Sequence, residues 1–512
     1  MGPTASGRVA VATTSQIAAD AAEEMAELGG NAVDCGIAAS LCSINTQPGV
    51  CALAGSAFVT LWTPDGEPIT IDGNVAIPGI GAAPSGPLPS ESVSIEYGGG
   101  VETLVGPTSV AVPGTLAALH LAADRYGTLP WGELLNPSIR ATRDGFPLPV
   151  ACHYYLGYAG DVIYGRSADG HAALHHEDGS LRDAGSPIVV PHLADSLEAI
   201  AVEGPDLFYK GEIGARIVDH VQAGGGRMTR DDLEHYSPDV RDALQLTAGD
   251  WSIAVNPPPA IGGANLAAML LAFGTGKISG WDHDALTRLV HAQMAAMRYR
   301  HAHLDAADDV SAPVAELLSQ AADGRLILRY ASGATVHTSA VDSAGLACAI
   351  TASSGYGAGE IAPETGIWLN NCLGEIELNP HGLDAAPPGK RLPSNMAPGC
   401  ARSAESSLAF GSPGADRITT ALHQFLVNYL QAGLDLDDAV AHPRVHLRID
   451  DDRCDLAVEP GVDLPDLDIE VTRFDHASMY FGGVAATVCD ADGQLSAAAD
   501  PRREGGTFIG PQ

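Results

Sequence analysis

The chain has 512 residues, 46% of them hydrophobic and 18% charged, with a net charge of -36 and a pI near 4.6. That length and apolar content suit a globular enzyme with a substantial core and argue against a disordered chain. So acidic a surface repels nucleic acid and anionic lipid, and neither is expected as a partner.

The first residues, MGPTASGRVAVATTSQ, show no basic segment followed by an apolar one. No apolar run reaches the ~18 residues of a membrane span, so a cytoplasmic protein is expected. Gly2 with Ser6 fits a myristoylation pattern too short to carry weight. Nine cysteines, an odd number with no CxxC pair, read as buried thiols rather than a disulfide framework or a zinc ribbon.

Residues 9–12 read as a short strand. SQIAADAAEEMAELGG follows as an amphipathic helix, capped by Ser15 and ended by Gly29. GNAVDCGIAASLCSIN is a second, more apolar helix. AFVTLWTPDGEPITIDG is a hairpin about a Pro-Asp-Gly turn. Residues 80–108, rich in Pro, Gly and Ser, read as loop. Helical patterns dominate from 113 to 330, as in TLAALHLAADRYG, LADSLEAIAVEG and ALTRLVHAQMAAMRYRHAHLDAA. From 335 the texture changes: TVHTSAVDSAGLACAITASS alternates like two strands about a turn near Ser343–Gly345. ITTALHQFLVNYLQAG is a later helix, and short strands run to the end. This order predicts a layered α+β sandwich rather than a doubly wound sheet.

The informative segment is GATVHTSAVD, residues 333–342. Thr335 alone would be an ordinary strand residue. A threonine whose own α-amino group is free differs, because that amine, with a pKa near ~8, can take the hydroxyl proton. The chain must then be cut just before the threonine. The same hydroxyl can do this by attacking the preceding carbonyl and shifting the acyl group from N to O, after which water releases the ester.

TVHTSAVDSAG resembles the small-subunit start of the γ-glutamyltransferases, Thr-Thr-His-x-Ser-x-x-Asp. Thr335, His337, Ser339 and Asp342 match, and Val336 replaces the second threonine. The similarity spreads in order through most of the chain: LGGNAVDCGIAAS, AVPGTLAALHLAADRYGTLPW with RDGFPLP, LFYKGEIG, GGRMTRDDLEHY, NPPPAIGG, GYGAGEIAPETGIWLNN, SNMAP, GSPGADRITT and AVAHPRVH.

The resemblance implies an αββα four-layer sandwich of the N-terminal-nucleophile hydrolase kind. It implies cleavage between Ala334 and Thr335, giving a large subunit of residues 1–334 and a small subunit of 335–512 in one composite catalytic domain. It implies an acyl-enzyme on Thr335, resolved by water or an acceptor amine. Position by position, Gly414 and Ala415 would offer backbone N–H groups to the oxyanion. Thr351, or alternatively Ser353, would hydrogen-bond the nucleophile. Ser394 and Asn395 stand where two serines hold substrate, and Glu375 where an acid grips the substrate α-amino group. The expected partners are a small-molecule substrate and the two subunits of one precursor, with a dimer of the cleaved pair left open. No cofactor and no metal are expected.

Two departures matter. The family's arginine that forks onto the substrate α-carboxylate falls at Asn74, in DGNVAIP. Loss of that charge-assisted pair costs about 1.5–3 kcal/mol of binding. Arg140, Arg143 and Arg391 are the substitutes considered. The GIGGGGF segment becomes ALAGSAF at 52–58, beside the same pocket. The first expectation is therefore hydrolysis or transfer of a γ-glutamyl-like or related amino-acid-derived amide. The alternatives are a C–C bond hydrolase of the family branch that serves 4-alkyl-proline antibiotics, a cephalosporin-acylase-like amidase, and an uncleaved inactive binding homologue. HAHLDAADD (301–309), His175–His176 and DDD (450–452) lack the spacing of metal ligands.

Overall fold

The computed structural model describes residues 8–510 apart from 83–87, 98–99, 306, 308, 324–334, 384–385 and 450–453. The Ala334 side of the expected cleavage site and the DDD run lie outside the described residues.

Two β-sheets are stacked between helical layers. The first has seven strands in the order Gly506–Ile509, Val9–Thr13, Val336–Asp342, Ala347–Ser353, Ser56–Trp62, Ile69–Gly73, Asp239–Asp242. The second has six, in the order Leu495–Ala499, Ala485–Asp490, Ser406–Gly411, Gly399–Arg402, Trp251–Val255, Leu244–Ala248. Period-two alternation sorts their residues by face. On Val336–Asp342 and its neighbour Ala347–Ser353, Val336, Ala340, Cys348, Ile350 and Ala352 pack toward the helices Gln16–Glu27 and Ala32–Thr46. Val341, Ala347 and Ala349 turn inward to meet Ala254, Cys400 and Ala409 of the second sheet. These small residues let the sheets approach closely. The outer face of the second sheet is covered by Gly262–Phe273, His283–His303 and Arg417–Leu426 in a separate apolar core. The architecture is the αββα sandwich of the N-terminal-nucleophile hydrolases.

The first helix is capped by Ser15, whose hydroxyl accepts from the Ala18 amide. A capping box of Asn31 and Asp34 starts the second. Asp34 also accepts from the Thr128 and Leu129 amides, which fixes that helix against the YGTLP turn.

Three expectations are corrected. The stretch 80–108 is not all loop, since Glu91–Ile95 and Val101–Val105 pair as a hairpin in which Ile95 and Val105 are buried. The stretch 113–330 is not wholly helical: Asp239–Asp242, Leu244–Ala248 and Trp251–Val255 are strands, and the last two build the second sheet. The helix expected at 418–433 is α-helical over Arg417–Leu426 and continues as a π-helical turn over Val427–Gln431. All nine cysteines are unpaired and, apart from the partly buried Cys454, buried. Among the described residues no helix is long and apolar enough to cross a membrane, and no group of three or more His, Cys, Asp or Glu could share a metal ion.

Candidate active site

Thr335 immediately precedes the strand Val336–Asp342 and is 3% exposed. The antiparallel ladder pairs Val336 with Ala352, so one further step sets Thr335 opposite Ser353. Both line a cavity of about 20 Å³ together with Asn74, Glu375, Ser394, Asn395 and Ala415. That volume is about what one water molecule requires. The site residues singled out in the sequence, from well-separated parts of the chain, thus converge on Thr335, with Thr351 and Gly414 just outside. A second cavity, about 270 Å³, shares Leu378 and Pro393 with the first and has mainly apolar walls.

Thr351 is fully buried and does not line the cavity. Its Oγ1 lies 2.8 Å from Nδ1 of His337, whose Nε2 lies 2.8 Å from the Ser339 hydroxyl. Ser339 donates to the Ala485 carbonyl at 3.0 Å. Its single hydrogen is thereby used, so His337 Nε2 must donate and Nδ1 must accept from Thr351. Burial lowers the His337 pKa to about 3, which keeps the ring neutral. Thr351 can therefore only accept toward the nucleophile. Asp342, the last residue of the Thr-x-His-x-Ser-x-x-Asp pattern, accepts from the Ala344 and Leu346 amides in the strand-to-strand turn. Burial pushes its pKa up to about 6, against those hydrogen bonds.

Gly414 and Ala415 form the turn from strand Ser406–Gly411 into helix Arg417–Leu426. Their φ angles are 123° and 71°. A Cβ on Gly414 would sit 2.8 Å from the Gly482 Cα, so glycine is required there. Ala415, in the left-handed region, carries strain of about 1–2 kcal/mol. Among the described residues neither amide donates a backbone hydrogen bond. Asp416 caps the following helix, accepting from the Arg417 amide at 2.9 Å and its guanidinium at 2.7 Å. Burial would raise the Asp416 pKa, but Arg417 and His446 hold it below the usual carboxylate range.

Ser394 clamps the start of helix Gly262–Phe273, its carbonyl accepting from the Ile261 and Gly262 amides. Glu375 is raised well above the carboxylate range, first by burial and then by its like-charged neighbour Glu377. Burial also lifts Glu377, to about 7, and Tyr356 donates to it at 2.8 Å. Asn74 spends its amide nitrogen on the Leu392 carbonyl at 2.5 Å. Arg391 donates to the Asn74 and Ser237 carbonyls, stacks 4.2 Å from the Tyr236 ring centroid, and lines neighbouring cavities rather than that of Thr335. Arg140 and Arg143 pair with surface acids elsewhere. Sequence reasoning passed over Ser56, Glu377 and Tyr356. Ser56 lies within the altered ALAGSAF segment and lines the cavity, and Glu377 stands two residues from a chosen acid.

The sequence profile described as Gamma-glutamyltranspeptidase matches residues 18–509. The glutathione hydrolase proenzyme of Escherichia coli (strain K12) is 29% identical, across 96% of this chain and 89% of its own length. The acylase ACY 1 proenzyme of Pseudomonas sp. (strain SE83) is also 29% identical, across 86% of this chain and 83% of its own. Among solved structures, the cephalosporin acylase from Bacillus halodurans superposes with a TM-score of 0.79 at 23% identity, covering 98% of this chain and 96% of that one.

Proposed function

From a chain that belongs to the gamma-glutamyltranspeptidase family, we propose a self-cleaving hydrolase and acyltransferase whose nucleophile is Thr335. The precursor is cut between Ala334 and Thr335, and residues 1–334 and 335–512 stay together as large and small subunits. The freed α-amino group takes the Thr335 hydroxyl proton as Oγ1 attacks the substrate carbonyl. Gly414 and Ala415 amides stabilise the oxyanion. The amine then passes that proton to the leaving nitrogen, leaving an ester on Thr335. Water or an acceptor amine attacks this ester and regenerates the hydroxyl. Thr351 accepts from the hydroxyl at rest, before the amine takes its proton, and Thr351's own hydrogen is held by neutral His337. The substrate is a small amino-acid-derived amide, with Glu375, Ser394 and Asn395 among its contacts.

One observation carries the reading: a buried threonine at a strand start shares a polar cavity with Ser353, Glu375, Ser394, Asn395 and Ala415. Among the described residues the cavity has no basic side chain, and this favours an acyl group other than γ-glutamyl. A C–C bond hydrolase would keep the same nucleophile, and rapid turnover of an amide substrate would rule that reading out. The first test is a denaturing gel. Wild type should give two bands of roughly 34 and 18 kDa, by chain-length proportion, and Thr335→Ala one uncut chain with no amidase activity. A variant that still splits there would reject the self-processing step.

A further inference from the structure

Three features of the Thr335 cavity bear on what the substrate's acyl half carries. Asn74 stands in the position of the family's carboxylate-binding arginine, and its amide nitrogen is already engaged with Leu392. Among the described residues no arginine, lysine or histidine lines the cavity. Glu375 is buried there, 6% exposed, and pairs with no guanidinium or ammonium group among the described residues. The Cys372 thiol contacts its side chain, and like-charged Glu377 repels it. Cations are nearby but displaced: Lys390 and Arg391 line the adjacent 270 Å³ cavity, together with Asp305 and Asp309.

A carboxylate brought beside Thr335 would find no countercharge and would face Glu375. An ammonium group would find a buried carboxyl with no cationic partner among the described residues, and would relieve its desolvation and its repulsion from Glu377. Resting on the assignment of Thr335 as nucleophile, we infer that the acyl half of the substrate carries an amine held by Glu375 and no carboxylate. The 4-aminobutyryl group fits this description: it is γ-glutamyl without its α-carboxylate.

The test uses the purified, self-processed full-length protein and three p-nitroanilides: 4-aminobutyryl, γ-glutamyl and butyryl. The 4-aminobutyryl compound should exceed each of the others in kcat/KM by at least about tenfold, or about 1.4 kcal/mol. Asn74→Arg should move the preference toward γ-glutamyl, and Glu375→Gln should erase the advantage of 4-aminobutyryl over butyryl, mainly through KM. Should Glu375→Gln not fold or process, wild type supplies the same contrast, with 4-aminobutyramide competing better than L-glutamine. Equal or faster turnover of γ-glutamyl overturns the inference. So does parity between butyryl and 4-aminobutyryl, and so does a properly split enzyme that cleaves none of the three. An unsplit chain is a separate failure, of the Thr335 assignment itself.

Discussion

Two buried carboxyl groups in this molecule have opposite surroundings. Asp500, 2% exposed, contacts Arg444 at 2.6 Å and Arg502 at 3.1 Å, and accepts from the Val484 amide. Burial alone would raise its pKa, yet the two guanidinium groups bring it below the ordinary value. Arg502 continues the network to Glu459 at 2.5 Å. The network ties the PRVH segment to the last two strands. Glu375, at 6%, is nearly as buried and has a like charge for a neighbour. Among the described residues no guanidinium or ammonium group pairs with it. A buried charge with full partners holds a structure together, whereas one without them points to a ligand.

The largest effect should come from breaking the balanced site. Asp500→Asn leaves two buried guanidinium groups short of countercharge and should cost about 3–5 kcal/mol in urea unfolding. Glu375→Gln replaces a carboxyl whose charged form burial already disfavours, and should change stability by less than about 1 kcal/mol while abolishing selectivity for amine-bearing substrates. If both substitutions cost the same, the contrast between the two carboxyls is wrong. pH sharpens it further. Glu377 is lifted from an ordinary 4.5 to about 7, so between these values the folded state binds more protons than the unfolded one. The Glu377 contribution to stability must then fall as pH rises through that window. Asp500 contributes oppositely: its stabilisation is present above pH 3.8 and fades as pH drops below it. Glu377→Gln should make the fall in stability less steep between pH 4.5 and 7, Asp342 and Glu375 keeping their own contributions, and leave acid unfolding near pH 3.8 unchanged. Next in size is Thr351→Val, which strips His337 Nδ1 of its donor in a dry interior. It should cost about 1–3 kcal/mol and slow chain splitting, read as precursor remaining after expression.

The layers and the strand carrying Thr335 were legible because long amphipathic helices and the alternation of VHTSAVD leave strong local patterns. Leu244–Ala248 and Trp251–Val255 were not. Each is five residues long, and Trp251–Val255 gains its meaning from Gly399–Arg402, far along the chain. The hairpin Glu91–Ile95 with Val101–Val105 was hidden by the prolines and glycines flanking it. Within the site, residue identities were readable and facing was not. Thr351 and Ser353 differ by two positions, so both point to the inter-sheet face. Only the register with Val336 shows that Ser353 stands opposite Thr335 while Thr351 lies against His337.

The smallest predicted effect concerns Ala415. Its left-handed backbone is a conformation alanine adopts at a cost of about 1–2 kcal/mol, which glycine avoids. Glycine also gains more freedom in the unfolded chain, by about 0.4–1 kcal/mol. The two terms oppose, so Ala415→Gly should shift stability by no more than about 1 kcal/mol, measured by urea unfolding. Its amide remains in place, so chain splitting and kcat should change less than about threefold. Ala415→Val keeps the same amide but adds a branched side chain at φ 71° in a position 1% exposed. It should lose both stability and splitting. If valine is tolerated as well as glycine, the turn at 414–415 is loosely held, and its amides cannot be the fixed donors that an oxyanion requires.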